Sequence, residues 1–154
     1  MSRRVLLGIT GGVAAYKSAY LARLLTAAGA EVTVVMTESA TRFVGPDTFA
    51  ALTGRTVHTS LWERPGEVLH VRLAHEADLA IVAPATANLL AKLAHGLADD
   101  LLTSTLLEYA GSLVIASVGA PWRRAAATTP TMSGDAPDWL IPITSALPNR
   151  GSAP

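Results

Sequence analysis

RVLLGITGGVAAYKSAYLARLLTAAGAEVTVVMT, residues 4–37, reads as a strand, a glycine turn, a helix and a second strand. Residues 4–10 are an apolar, β-rich run. The segment after them has helical spacing, with Tyr16, Tyr20, Leu24 and Ala28 on one side and Gly29 just past its end. Residues 30–37 form the second strand, and DLAIVAP (78–84) and SLVIAS (112–117) are further short apolar strands. Their near-continuous hydrophobicity fits a parallel sheet covered on both faces. Helical segments lie between them, around 47–53, 87–97 and 99–110. Repeated βαβ units specify an α/β fold, a doubly wound, Rossmann/flavodoxin-like parallel sheet with helices on both faces. That domain is expected to occupy residues 1–116. Residues 117–154 hold six of the nine prolines and no long apolar period, so a mostly irregular segment is expected there.

Composition limits what the domain can do. Of 154 residues, 50% are hydrophobic and only 16% charged, which leaves little polar surface to cover a monomer and points to a homo-oligomer with apolar faces. Twelve Lys and Arg balance twelve Asp and Glu, with no basic run, so no nucleic-acid partner is expected. The apolar runs stop short of the roughly 18 residues of a membrane span, and the first reads as a strand rather than a leader. Cysteine is absent, which removes disulfides, a thiolate nucleophile and Cys-type zinc sites, and a cytoplasmic setting is expected. No spacing of acidic residues and histidines suggests a metal site.

Ligands of doubly wound sheets bind beyond the carboxyl ends of the strands, so three turns matter. GITGGVAAYK places Gly8, Gly11 and Gly12 between strand and helix, either to admit a phosphate to backbone N–H groups or simply to make a tight turn. TESATRFV offers Thr37, Glu38 and Ser39, whose hydroxyls can bind phosphate or cap the next helix. VAPATANLLAKLAHGLADDLL (82–102) opens with Pro84, with Thr86 or Asn88 as helix cap, and sets Asn88, Lys92, His95 and Asp99 on one helical stripe.

Taken in order, these turns and HVRLAHEADLAIVAPATANLLAKLAHGLADDLL resemble the homo-oligomeric flavin-containing cysteine decarboxylases, from residue 4 to about 116. That family includes phosphopantothenoylcysteine decarboxylase and the peptidyl-cysteine decarboxylases of lantibiotic-type pathways. The resemblance implies FMN as cofactor. Its phosphate would lie on Gly11, Gly12, Val13 and Ala14, with Gly12 standing where many relatives have Ser. Thr37, Glu38 and Ser39 match a second cofactor segment, with Phe43 near the flavin. Thr86, Ala87, Asn88 and Leu89 match the segment under the isoalloxazine ring, and Gly96 a glycine beside it. On this reading Lys92 and His95 face solvent or a neighbouring subunit, and Asp99 with Asp100 caps the next helix.

The same resemblance places His70 as the catalytic acid and base, a role suited to an imidazole that titrates near neutrality. His58, His75 and His95 are read as surface or packing residues. In the family's chemistry, flavin oxidises the cysteine side chain to a thioaldehyde, and loss of carbon dioxide then gives an enethiolate. The leading expectation is oxidative decarboxylation of a C-terminal cysteine in a precursor peptide, because the chain lacks the cysteine that phosphopantothenoylcysteine decarboxylases use to return electrons. The alternatives are that coenzyme A enzyme itself and a non-catalytic flavin-binding subunit. The family's Pro-x-Met-Asn-x-x-Met-Trp motif is not found after Ala116. A homotrimer or dodecamer, with the flavin between subunits, is the implied assembly.

Overall fold

The computed structural model describes residues 2–117. The expectation for residues 117–154 therefore lies, Ser117 apart, outside the described residues, as does the position of the missing motif. Five parallel strands run in the order β3-β2-β1-β4-β5: β1 Arg4–Ile9, β2 Glu31–Met36, β3 Val57–His58, β4 Leu79–Val82 and β5 Ser112–Ile115. Helices α1 (Ala15–Ala27), α2 (Glu38–Thr41), α3 (Pro46–Thr53), α4 (Leu69–Glu76), α5 (Ala87–His95) and α6 (Leu101–Glu108) connect them. This is the doubly wound α/β architecture read from the sequence. β3, absent from the strands expected from the sequence, is two residues long, too short for a periodic signal.

Period-two alternation assigns each strand residue to a layer. Val5, Leu7, Ile9, Val34 and Met36 pack with Ala15, Ala22 and Phe49 beneath α1 and α3. Leu6, Val35, Ala80 and Val82 pack with Leu69, Leu73, Leu102 and Leu106 beneath α4 and α6. Gly8, the penultimate residue of β1, lets α6 approach: a Cβ there would lie 2.6 Å from Leu102 Cδ1. In α1 the buried residues are the small Ala15, Ser18 and Ala22, so Tyr16, Tyr20 and Leu24 face outward. The large-residue stripe read along that helix is its exposed side, because close packing on a sheet selects small side chains.

The chain winds from β1 to β2 and β3, then returns to the other side of β1 for β4 and β5. The reversal makes the carboxyl ends of β1 and β4 the switch point of the sheet, where a crevice opens between diverging connections. Register brings Gly8 opposite both Val35 and Val82, so the turns after β1, β2 and β4 emerge side by side.

Candidate functional site

Thr10 ties these turns together. It is buried, its hydroxyl donates to the Pro84 carbonyl at 2.6 Å, and the same oxygen accepts the Thr86 N–H at 3.0 Å. The Thr37 N–H bonds to the Ile9 carbonyl at 3.0 Å, which brings in the turn after β2. Ser18 Oγ donates to the Ala83 carbonyl and fixes α1 to the turn after β4, where Ala83 and Pro84 are joined by a cis peptide. The sequence reading passed over Thr10. Its signal was a hydroxyl ending an otherwise apolar strand immediately before two glycines.

The hydroxyls of Thr37 and Thr86 both cap helices. Thr37 Oγ1 accepts the Ala40 N–H at 3.3 Å, and Thr86 Oγ1 accepts the Leu89 N–H at 3.4 Å. Gly11 has a steric reason to be glycine, since a Cβ there would stand 2.5 Å from Ser39 Oγ and 2.8 Å from the Ser39 backbone. No side chain caps the N-terminus of α1, whose cap residue is Ala14, so the Gly12–Ala14 turn presents an undecorated helix start. Val13 is largely exposed beside it.

Around these anchors lies a cleft of about 310 Å³, bounded by Thr10, Thr37, Glu38 and Ser39 on one side and by Thr86, Asn88 and Leu89 on the other. Its remaining wall is Lys92, Asp99 and Asp100, so Lys92, expected to face solvent or a neighbouring subunit, lines the cleft. Lys92 Nζ lies 2.7 Å from Asp99 Oδ1 and 3.3 Å from Asp100 Oδ2, with its side chain only 20% exposed. The reason is helical geometry: Lys92 stands one turn after Asn88, and the α5–α6 turn folds two carboxylates back over it. The hydrogen bond to Asp99 holds the ammonium above its ordinary pKa, and the same bond holds the Asp99 carboxyl below its own.

Capping is likewise narrower than read. Asp100 alone caps α6, accepting the Thr103 N–H at 2.8 Å in a reciprocal capping box, while Asp99 pairs with Lys92. Gly96 closes α5 in a left-handed conformation with φ 67° and does not line the cleft, and neither does the exposed Phe43. Ala87 and Asn88 are exposed at the first turn of α5, and Leu89 is buried beneath them. His95 ends the same helix, exposed.

His70 lies elsewhere. It is the second residue of α4 and lines a separate open concavity of about 910 Å³ with Leu61, Trp62, Val68, Ala98 and Leu107. The α5–α6 turn divides the two spaces, with Ala98 on the His70 side and Asp99 and Asp100 on the other. Trp62 is 84% exposed and Val68 60%, so the mouth of this concavity is apolar. His58 is buried, with Nδ1 2.9 Å from Glu63 Oε2, which bears out the packing role expected for it. His75 pairs at the surface with Glu108 at 3.4 Å. Among the described residues no three His, Asp or Glu side chains are grouped to hold a metal, and no helix is long and apolar enough to cross a membrane.

The family model described as Flavoprotein matches residues 1–122. The coenzyme A biosynthesis bifunctional protein CoaBC of Mycolicibacterium smegmatis is 55% identical over 105 residues, 68% of this chain and 25% of the relative, so the chain spans about a quarter of that relative's length. The structure of the FMN-dependent cysteine decarboxylase SpaF superposes with a TM-score of 0.71 at 38% identity, covering 78% of this chain and 71% of SpaF. A PPC decarboxylase complexed with pantothenoylaminoethenethiol superposes at 0.68 with 32% identity, covering 79% and 70%. With its cleft at the sheet's switch point and this match across three quarters of its length, the chain belongs to the flavoprotein family that includes the FMN-dependent cysteine decarboxylases.

Proposed function

We propose that this chain binds FMN in the switch-point cleft and decarboxylates a cysteine bearing a free carboxylate. The observation that carries the reading is the Thr10 bridge, which assembles a cleft of ring size from the segments that match the family's cofactor residues. The residues fit such a group unevenly, in a way that orients it. Glu38, Asp99 and Asp100 outnumber Lys92 in the cleft and repel a phosphate. The uncapped start of α1 at Gly12, Val13 and Ala14 offers N–H donors and the positive end of the helix dipole. The phosphate is therefore assigned to that turn, with Gly11 allowing its close approach to Ser39, and the ring to the space over Thr86, Ala87, Asn88 and Leu89. Gly96 and Phe43 contribute shape at the periphery rather than lining.

FMN, when bound, supplies the electron sink that loss of carbon dioxide from a cysteine otherwise lacks. His70 holds or moves a proton at the substrate sulfur or the adjacent carbon. Because His70 opens into a different concavity from the cleft, the complete site is assigned to the junction of two copies, one giving the cleft and the other His70. On this reading the chain works as a homo-oligomer of trimer or dodecamer type, in the cytoplasm.

Two substrates have support. The likeness to the FMN-dependent cysteine decarboxylases SpaF, at 38% identity, and TvaF from thioviridamide biosynthesis, at 31% identity, favours a peptide with a C-terminal cysteine, released as the oxidised enethiol. The 55% identity to CoaBC over the matched region favours phosphopantothenoylcysteine. Mass spectrometry of products separates them: the peptide loses carbon dioxide and two hydrogens, and the coenzyme A intermediate loses carbon dioxide alone. In either case His70→Asn is expected to leave FMN bound, seen in the visible spectrum, while lowering turnover about 10²–10⁴-fold. Unchanged turnover would remove His70 from the mechanism, and colourless protein that takes up no FMN would overturn the reading as a whole. FMN uptake without turnover of either substrate would mark a flavin-binding subunit.

A further inference from the structure

We propose that Lys92 sets the redox balance of the flavin held in this cleft, and that Asp99 is the partner that tempers its charge. The inference rests on the FMN reading above and concerns a residue that the family match left outside the site. Among the described side chains lining the cleft, Lys92 is the one cation, facing Glu38, Asp99 and Asp100. It lies one helical turn beyond Asn88, on the helix whose first turn is assigned to the ring, and most of its side chain is withdrawn from water.

A ring that accepts electrons gains negative charge. A fixed ammonium beside the ring stabilises the electron-rich form more than the oxidised one, and the surrounding carboxylates act in the opposite sense. The two aspartates are not equivalent. Asp100 commits Oδ1 to the Thr103 N–H and hydroxyl as the cap of α6, whereas Asp99 is 63% exposed and makes the shorter contact to Lys92. Asp99 can therefore be changed without uncapping α6. The ammonium is held in its charged form by these bonds, so the charge persists across neutral pH.

Substitutions at the two positions change the charge of the cleft by one unit in opposite directions, which gives the test its sign. The experiment is a spectroelectrochemical titration of the full-length protein loaded with FMN, comparing wild type with Lys92→Met, Lys92→Arg and Asp99→Asn. Lys92→Met is expected to weaken reduced FMN relative to oxidised FMN about tenfold, a fall of ~30 mV for a two-electron couple. Asp99→Asn is expected to raise the potential, and Lys92→Arg to keep the wild-type value. A lysine that merely braced the α5–α6 turn would weaken both oxidation states alike, leaving the potential unmoved in Lys92→Met and Asp99→Asn. That result overturns the proposal, as do shifts of the same sign in both. If Lys92→Met does not fold, the upward shift of Asp99→Asn still decides. A wild-type protein that binds no FMN overturns the functional reading itself, which is a different outcome from bound FMN with an unmoved potential.

Discussion

Gly11 and Gly12 are neighbours with unequal tolerance. A Cβ at Gly11 collides with the Ser39 side chain and backbone, so Gly11→Ala is expected to cost about 1–3 kcal/mol in urea denaturation and to weaken FMN binding. A Cβ at Gly12 meets nothing closer than Pro84 Cγ at 3.9 Å, and Gly12 does not have positive φ. Gly12→Ser is therefore expected to hold stability within about 0.5 kcal/mol. By adding one hydroxyl at the phosphate turn, it is expected to tighten FMN by about 1 kcal/mol, read from flavin fluorescence titration. The glycine pair was legible in the sequence as a turn after a strand. Which of the two is sterically required was not, because the colliding residue is supplied by another turn, 28 positions along the chain.

Among the connections, the segment from β3 to α4 has a single organiser. Glu63 Oε1 accepts the Ser60 N–H and the Thr59 hydroxyl, both at 3.0 Å, together with the Thr59 N–H, and Oε2 meets His58. Burial pushes the Glu63 carboxyl up, but the Thr59 N–H, His58 and Ser60 outweigh it and hold the group below its ordinary 4.5. A depressed carboxyl contributes stability above its unfolded pKa and loses it as pH falls through the folded value. Glu63→Gln is thus expected to cost about 1–3 kcal/mol at neutral pH, with the gap from wild type narrowing at an acid pH below the group's lowered folded value, where both side chains are uncharged. Urea denaturation at the two pH values measures it, and a constant gap would count against the assignment. Because this segment carries Trp62 and leads into His70, the same variant should also disturb the wall of the His70 concavity. Nothing in the periodicity marked Glu63, since its partners are backbone groups of a turn.

For the whole molecule, the separation of His70 from the cleft makes assembly part of the proposed chemistry. A monomer has both parts but in different concavities. The outward Tyr16, Tyr20 and Leu24 on α1 and the exposed Trp62 and Val68 near His70 leave apolar surface available for contacts between copies. Mixing two inactive variants tests this directly. His70→Asn keeps an intact cleft, and a cleft variant such as Gly11→Val keeps His70. Co-assembled by refolding or co-expression at equal amounts, they are expected to regain about a quarter of wild-type activity, the share of junctions with both parts intact under random mixing. A mixture as inactive as its components would place the whole site within one copy.

The sequence by itself determined the parallel α/β fold, because continuous apolar strands alternating with helical periods admit few other arrangements. Its three turns also marked the cleft, since the carboxyl ends of such strands are where a ligand can approach. Tertiary structure decided what those turns do to one another. Thr10 bonds to two residues more than seventy positions away, Lys92 turns inward under two carboxylates, and His70 opens on another side. Periodicity reports which face of an element a residue occupies. It carries no information about which other element, or which other copy, that face will meet.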